Sequence, residues 1–173
     1  MTTLFARLLG GAFDTLAPRV RALHLRDGTR RYRGEVDVER GRGWLAGLCL
    51  RATRLPPAGR GPIEVEIVVD ANGERWTRHV GGHAMRSRLW AADGLLCERL
   101  GLVTFAFALS AHDGAIEWGV MRVRALGLRL PARWFDTVAA RESEEGGRYR
   151  FDVQAVLPLA GLLVRYRGWL DVD

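Results

Sequence analysis

From residue 63 onward the chain alternates apolar and polar residues with a period of two, and turn dipeptides cut the alternation at short intervals. Asn72-Gly73, Asp93-Gly94, Asp113-Gly114 and Gly146-Gly147 each stand between two alternating runs. Such pairs accept the positive φ angles of tight antiparallel hairpins. The pattern predicts strands over 63–69, 75–80, 85–91, 95–100, 103–110, 116–126, 137–143, 148–156 and 162–171. An earlier strand is expected over 31–40, where Tyr32, Gly34, Val36 and Val38 alternate with charged residues. Helical spacing replaces this period in two places. Over 3–17, Phe5, Leu8, Leu9, Ala12, Phe13 and Leu16 form one apolar stripe, with Thr3 as N-cap. Gly10-Gly11 inside that stripe costs about 2 kcal/mol of helix propensity. Pro18 suits the first turn of a second short helix with Val20 and Leu23 facing inward. Residues 44–54 form a further helix, stopped by Pro56-Pro57, and Pro131-Ala132-Arg133-Trp134-Phe135 reads as a helical turn.

Eight to ten twisted strands curl rather than stay flat. The expected fold is therefore α+β: a strongly curved antiparallel β-sheet, a half-barrel or open barrel meander, packed around N-terminal amphipathic helices. Helical segments 3–25 and 44–54 and sheet segments 31–40 and 63–171 make one domain, 1–173, because the loop 56–62 is too short to divide it. A chain of this length buries about 70% of its unfolded surface, enough for a core with a pocket in it. Phe5, Phe13 and Trp44 are expected to fill part of the concave face.

The composition is that of a globular protein, with 48% apolar and 27% charged residues. The net charge is +6 and all 26 cationic residues are arginine, the signature of codon bias in a GC-rich genome. Arginines recur at i and i+2, as at 31/33, 122/124, 148/150 and 165/167, and Glu35, Asp37 and Glu39 repeat the spacing. In strands these residues share a face. Outward pairs across neighbouring strands then contribute about 0.2–1 kcal/mol each. An RNA-binding sheet would interleave exposed aromatics with the arginines. Here Phe105, Phe107, Trp118, Tyr149 and Phe151 fall on the apolar side, so a nucleic-acid partner is not expected. Cys49 and Cys97 lie in apolar surroundings and read as reduced core thiols. No leader is visible and no apolar run nears the ~20 residues of a spanning helix, so a cytoplasmic location is expected. The segment 40–48 is basic and apolar by turns and admits a peripheral membrane anchor, but a core helix is favoured.

Candidate chemistry comes from polar residues that hairpin register places on the apolar side. A two-residue turn fixes which residues stand opposite one another. The turn at Asp93-Gly94 sets Leu89 opposite Glu98, and the turn at Gly146-Gly147 sets Glu142 opposite Phe151. The turn at Asn72-Gly73 sets Arg78 opposite Ile67. The turn at Asp113-Gly114 sets Arg122 opposite Phe105, unless a bulge near Val120-Met121 flips it. Charged groups are rarely buried without a partner or a purpose. Arg78, Glu98, Trp118, Arg122, Glu142 and Tyr166 are therefore the expected ligand-binding residues, with Glu98 and Glu142 as candidate acids or bases; structural Arg–Glu pairs are the competing account. His79 and His83 have metal-ligand spacing, but Gly81-Gly82 puts a turn between them, so no metal and no cofactor is expected. Ser87, Ser110 and Ser143 lack a nucleophile-elbow context. The expected function is a small-molecule binding module for an apolar or amphipathic ligand. A proton-transfer enzyme using the inward glutamates is one alternative, and a pocketless protein-interaction domain is another.

Several segments in their linear order resemble a bacterial family known as a domain of unknown function. They are Leu4-Phe5-Ala6-Arg7-Leu8-Leu9-Gly10, Gly43-Trp44-Leu45, Glu74-Arg75-Trp76-Thr77-Arg78, Glu98-Arg99-Leu100-Gly101, Ala140-Arg141-Glu142-Ser143 and the closing run from Gly161 to Leu170. That family occurs alone or fused behind a saccharopine-dehydrogenase-like, NAD-binding reductase domain. The resemblance implies a self-contained domain with a reductase as partner, and supplies no catalytic residues. This chain has no dinucleotide fingerprint of its own.

Overall fold

Period-two alternation becomes eleven antiparallel strands in the computed structural model, which describes residues 2–158 and 160–172, the side chains of Leu45 and Leu50 excepted. They are β1 (Thr29–Arg40), β2 (Gly59–Asp70), β3 (Gly73–Val80), β4 (His83–Ala92), β5 (Leu95–Leu100), β6 (Val103–His112), β7 (Ala115–Ala125), β8 (Leu128–Leu130), β9 (Ala139–Glu145), β10 (Arg148–Leu157) and β11 (Gly161–Leu170). Each pairs with its sequence neighbour, except that β7 pairs with both β8 and β9, and β1 pairs with β11. The ring is thus closed by ten strands, with β8 as a short flap on β7. The half-open sheet expected from the sequence is corrected. Both would-be edges carry unpaired backbone groups, and joining the first strand to the last satisfies them. The seam is tight. A Cβ added at Gly34 would overlap the Trp169 carbonyl, and one at Gly168 would overlap the Glu35 carbonyl.

The helices sit at the two mouths of this ring. α1 (Leu4–Leu9), a 3-10 turn (Gly10–Thr15) and α2 (Pro18–Leu25) precede β1 and cover the end where β1 starts. The single helix expected over 3–17 is interrupted at Gly10, whose φ of +56° ends α1. Thr3 caps α1 through its carbonyl, which accepts from the Arg7 amide at 3.0 Å, and not through its side chain. α3 (Trp44–Thr53) joins β1 to β2 across the opposite end, and a 3-10 turn (Ala132–Phe135) lies between β8 and β9. Phe5 and Phe13 are buried as expected, but Trp44 is 83% exposed. Among the described side chains of α3, Ala46 is fully buried and Leu48 is exposed with Trp44, so the helix lies on the barrel rather than in it.

Inner and outer walls follow the alternation. Val36, Leu89, Leu96, Ile116 and Val164 are buried in the core with Phe5 and Val20. The outer wall carries arginine–carboxylate pairs across strands, among them Arg31–Glu66 (2.6 Å), Arg33–Glu64 (3.0 Å) and Arg165–Asp152 (2.6 Å).

Candidate functional site

Inward positions of two sets of three neighbouring strands, β3–β5 and β9–β11, bring polar side chains together inside the barrel. On β3, Glu74, Trp76 and Arg78 alternate inward. The β2–β3 turn falls at Ala71-Asn72, with the Asn72 amide donating to the Asp70 carboxylate at 2.8 Å, so Asp70 pairs with Gly73. This displaces the expected register by two residues, and Arg78 stands opposite Val65 rather than Ile67. A shift by two preserves the face, and Arg78 still points in. Glu98 lies opposite Leu89, and Glu142 lies opposite Phe151, both as expected, and both are buried.

Two clusters result. In the first, Arg78 Nη1 donates to Ser87 Oγ at 3.0 Å and Arg78 Nη2 lies 3.4 Å from Glu98 Oε1. The guanidinium also sits 4.9 Å from the centre of the Trp76 ring. Burial pulls the Arg78 pKa down, but Glu98, Tyr166 and Tyr149 together raise it above its ordinary value. In the second cluster, His24 from α2 reaches through the mouth, and its Nε2 meets Glu142 Oε2 at 2.5 Å. The Tyr149 hydroxyl donates to the same carboxylate. Phe5 stacks on the His24 ring at 3.7 Å and holds it in place. Nearby, Trp76 Nε1 donates to Glu74 at 2.7 Å. Burial raises the Glu74 carboxyl above its ordinary value, His24 and the Trp76 bond offset part of this, and Glu142 adds to it. Burial pushes the Tyr149 hydroxyl well up, reinforced by Glu142, and pushes Tyr166 up to about 12.

Between these clusters and the far mouth lies a cavity of about 120 Å³. Phe105, Phe107, Trp118 and Phe151 form apolar walls, and Arg78, Glu98, Glu142, Tyr149 and Tyr166 supply the polar part of its lining. It extends to the α3 end, where Thr53, Leu55 and Phe135 line it. Among the described residues, three buried polar atoms in this interior have no hydrogen-bond partner: Trp118 Nε1, His24 Nδ1 and the Tyr32 hydroxyl.

Of the residues singled out from the sequence, Arg78, Glu98, Trp118, Glu142 and Tyr166 meet at this cavity, and Arg122 does not. The β6–β7 register runs as expected from His112↔Ala115 to Phe107↔Val120, then shifts so that Ala106 faces Arg122. The extra residue, Met121, reverses the face of everything beyond it. Val123 therefore turns inward opposite Phe105, and Arg122 turns out to pair with Asp93 at 2.9 Å. Sequence reasoning missed His24 and Glu74. His24 follows Val20 by four residues on the buried face of α2, and Glu74 shares the alternation of Trp76 and Arg78, so both signals were present. His83 Nε2 contacts the Arg54 carbonyl at 2.8 Å, and His79 is exposed. Cys49 and Cys97 are free, and burial raises both thiols. No cluster of three metal-ligating side chains occurs among the described residues.

The chain belongs to the family described as Domain of unknown function (DUF4166), whose family model matches residues 16–170. No curated protein matches it. Among solved structures it is similar to the crystal structure of Rv2717c from M. tuberculosis, at 15% identity over 91% of this chain and 99% of that chain, with a TM-score of 0.42.

Proposed function

We propose that this family member binds a small, mainly apolar molecule with one polar group inside its barrel. The observation that carries the reading is the cavity itself, about 120 Å³ with aromatic walls and an ionic pair on its lining. An apolar void of about 150 Å³ in a protein interior holds a benzene-sized guest. The aromatic walls favour such a body, and the unpartnered Trp118 Nε1–H offers a donor to an acceptor group on it. The Arg78–Glu98 pair and the Glu142–Tyr149 bond give further anchors for a polar head.

Toluene and phenol are suitable probes, read by thermal shift and by the fluorescence of the tryptophans that line the cavity. Both should raise Tm, and A140F should abolish the effect by filling the space. E98Q and E142Q should change phenol affinity more than they change Tm. If neither probe shifts Tm in the unmodified protein, or if the Gln variants change only Tm, the polar residues are structural and the binding reading fails.

The 2.5 Å contact between His24 and Glu142 favours a second reading, proton transfer at Glu142 oriented by the imidazole. Its signature is incorporation of solvent deuterium into a bound weak carbon acid, lost in E142Q.

A further inference from the structure

Large apolar side chains on the surface of this barrel are gathered at one end. Of the eight that are exposed among the described residues, six belong to segments around the α3 mouth: Trp44, Leu48, Leu102, Leu126, Leu128 and Trp134. Leu25 lies at the opposite mouth, and Met121 sits at the β7 bulge. The segments are physically joined. The Leu102 amide donates to the Ala52 carbonyl of α3 at 3.0 Å, and the Leu126 amide donates to the Leu102 carbonyl at 3.1 Å. Phe135, one residue after Trp134, packs with Val103 and Val123 beside them. Helix face, hairpin turn, β7–β8 tip and 3-10 turn thus form one rim around the end to which the cavity extends.

Charge follows the same geography. Residues 40–62 hold five arginines and no carboxylate, and residues 121–135 hold four and none. Asp136 is the carboxylate that follows. Arg42, Arg51, Arg54, Arg129 and Arg133 are exposed, and among the described residues no carboxylate lies within ion-pair reach of them. The turns at the opposite mouth instead carry Asp70, Asp93, Asp113 and Glu145. The opposite mouth mixes the two signs, since residues 3–30 add Arg7, Arg19, Arg21, Arg26 and Arg30 to Asp14 and Asp27, so what distinguishes the α3 end is arginine without a carboxylate partner beside exposed apolar side chains.

We propose that the α3 end is a docking surface for an anionic lipid bilayer. Exposed tryptophan and leucine ringed by arginine is the composition that sits at a headgroup–acyl boundary. Arginine without an internal carboxylate is left for lipid phosphate or carboxylate, which it can bind bidentately. Docking is peripheral: no helix among the described residues is long and apolar enough to cross a membrane, and the paired charges of the outer wall keep the strands out of lipid. Trp44 and Leu48, one helical turn apart, insert; Arg51 and Arg54 hold headgroups.

Sedimentation of the purified protein with vesicles tests this, and it reads docking whether the cavity is filled or empty. Vesicles of equal parts phosphatidylglycerol and phosphatidylcholine should pellet the protein, and pure phosphatidylcholine should not. Binding should weaken with salt, and tryptophan emission should shift to the blue. W44A/L48A should lose about tenfold in partitioning, and R51Q/R54Q about fivefold per arginine removed. These positions are on the surface, so thermal unfolding should not change. Failure of the unmodified protein to bind phosphatidylglycerol vesicles overturns the proposal, as does binding that both variants retain. A concentration-dependent dimer broken by W44A also overturns it and assigns the face to a second copy of the chain.

Discussion

At the scale of the residue, the interior is organised by charges that are buried in pairs. Glu98 Oε1 lies 3.4 Å from Arg78, and both are nearly inaccessible. Removing one partner leaves a buried ion without a counter-charge, so E98A should lose about 3–5 kcal/mol in urea unfolding. E98Q keeps a hydrogen-bond acceptor and should lose less. Glu74 makes a different forecast. Its carboxyl holds its proton to a higher pH in the folded chain than the ordinary value of 4.5 at which it titrates unfolded. Stability attributable to Glu74 is therefore constant below that value and falls as pH rises through the folded pKa. E74Q, which can still accept from Trp76 Nε1, should be the more stable protein at neutral pH. Denaturant curves from about pH 4 to about pH 7 should show the stability difference between the two growing with pH. A constant difference across that range would show that folding does not shift the Glu74 pKa. Arg78, Glu98 and Glu142 were legible in the sequence because each breaks the apolar side of a strand. Their partners were not: Ser87 is a small polar residue on the adjacent strand of the β3–β4 hairpin, and His24 reaches Glu142 from a helix 118 residues away in sequence.

At the scale of the element, parity decides which sequence inferences hold. The β2–β3 turn sits one residue before the hairpin signal, which shifts the pairing register by two, and no side chain changes face as a result. A single extra residue in β7 turns Arg122 outward, because faces alternate residue by residue. The alternation of Met121, Val123 and Ala125 was the sign of that bulge. α3 shows the limit of apolar content as a guide. Its sequence is as apolar as a core helix, yet it crosses the end of a closed ring rather than entering it, and Trp44 is left in solvent. The β1–β11 seam carries its own prediction. At Gly34 and Gly168 the two strands approach too closely for any side chain. G34A or G168A should open this seam first, seen as faster amide exchange in β1 and β11 while β3 and β4 stay protected.

At the scale of the whole molecule, closure was the feature that the sequence could not announce. Hairpin signals are local, whereas the pairing of Gly34 with Leu170 joins positions from opposite ends of the chain. Such contacts form only after a long loop is closed, so refolding should occur in milliseconds to seconds rather than microseconds. Stopped-flow tryptophan fluorescence would measure it. The basic, apolar character of the α3 end was likewise hidden, since its arginines and exposed apolar residues are spread through the sequence and converge only when turns are sorted into two mouths. Closure also has a consequence for behaviour in crowded solution. Among the described residues the sheet leaves one strand with an open backbone edge, the three-residue β8, which has Arg129 at its centre and Pro131 just beyond it. So brief a template, bearing a cation and halted by a residue with no amide hydrogen, cannot recruit further chains into cross-β fibrils.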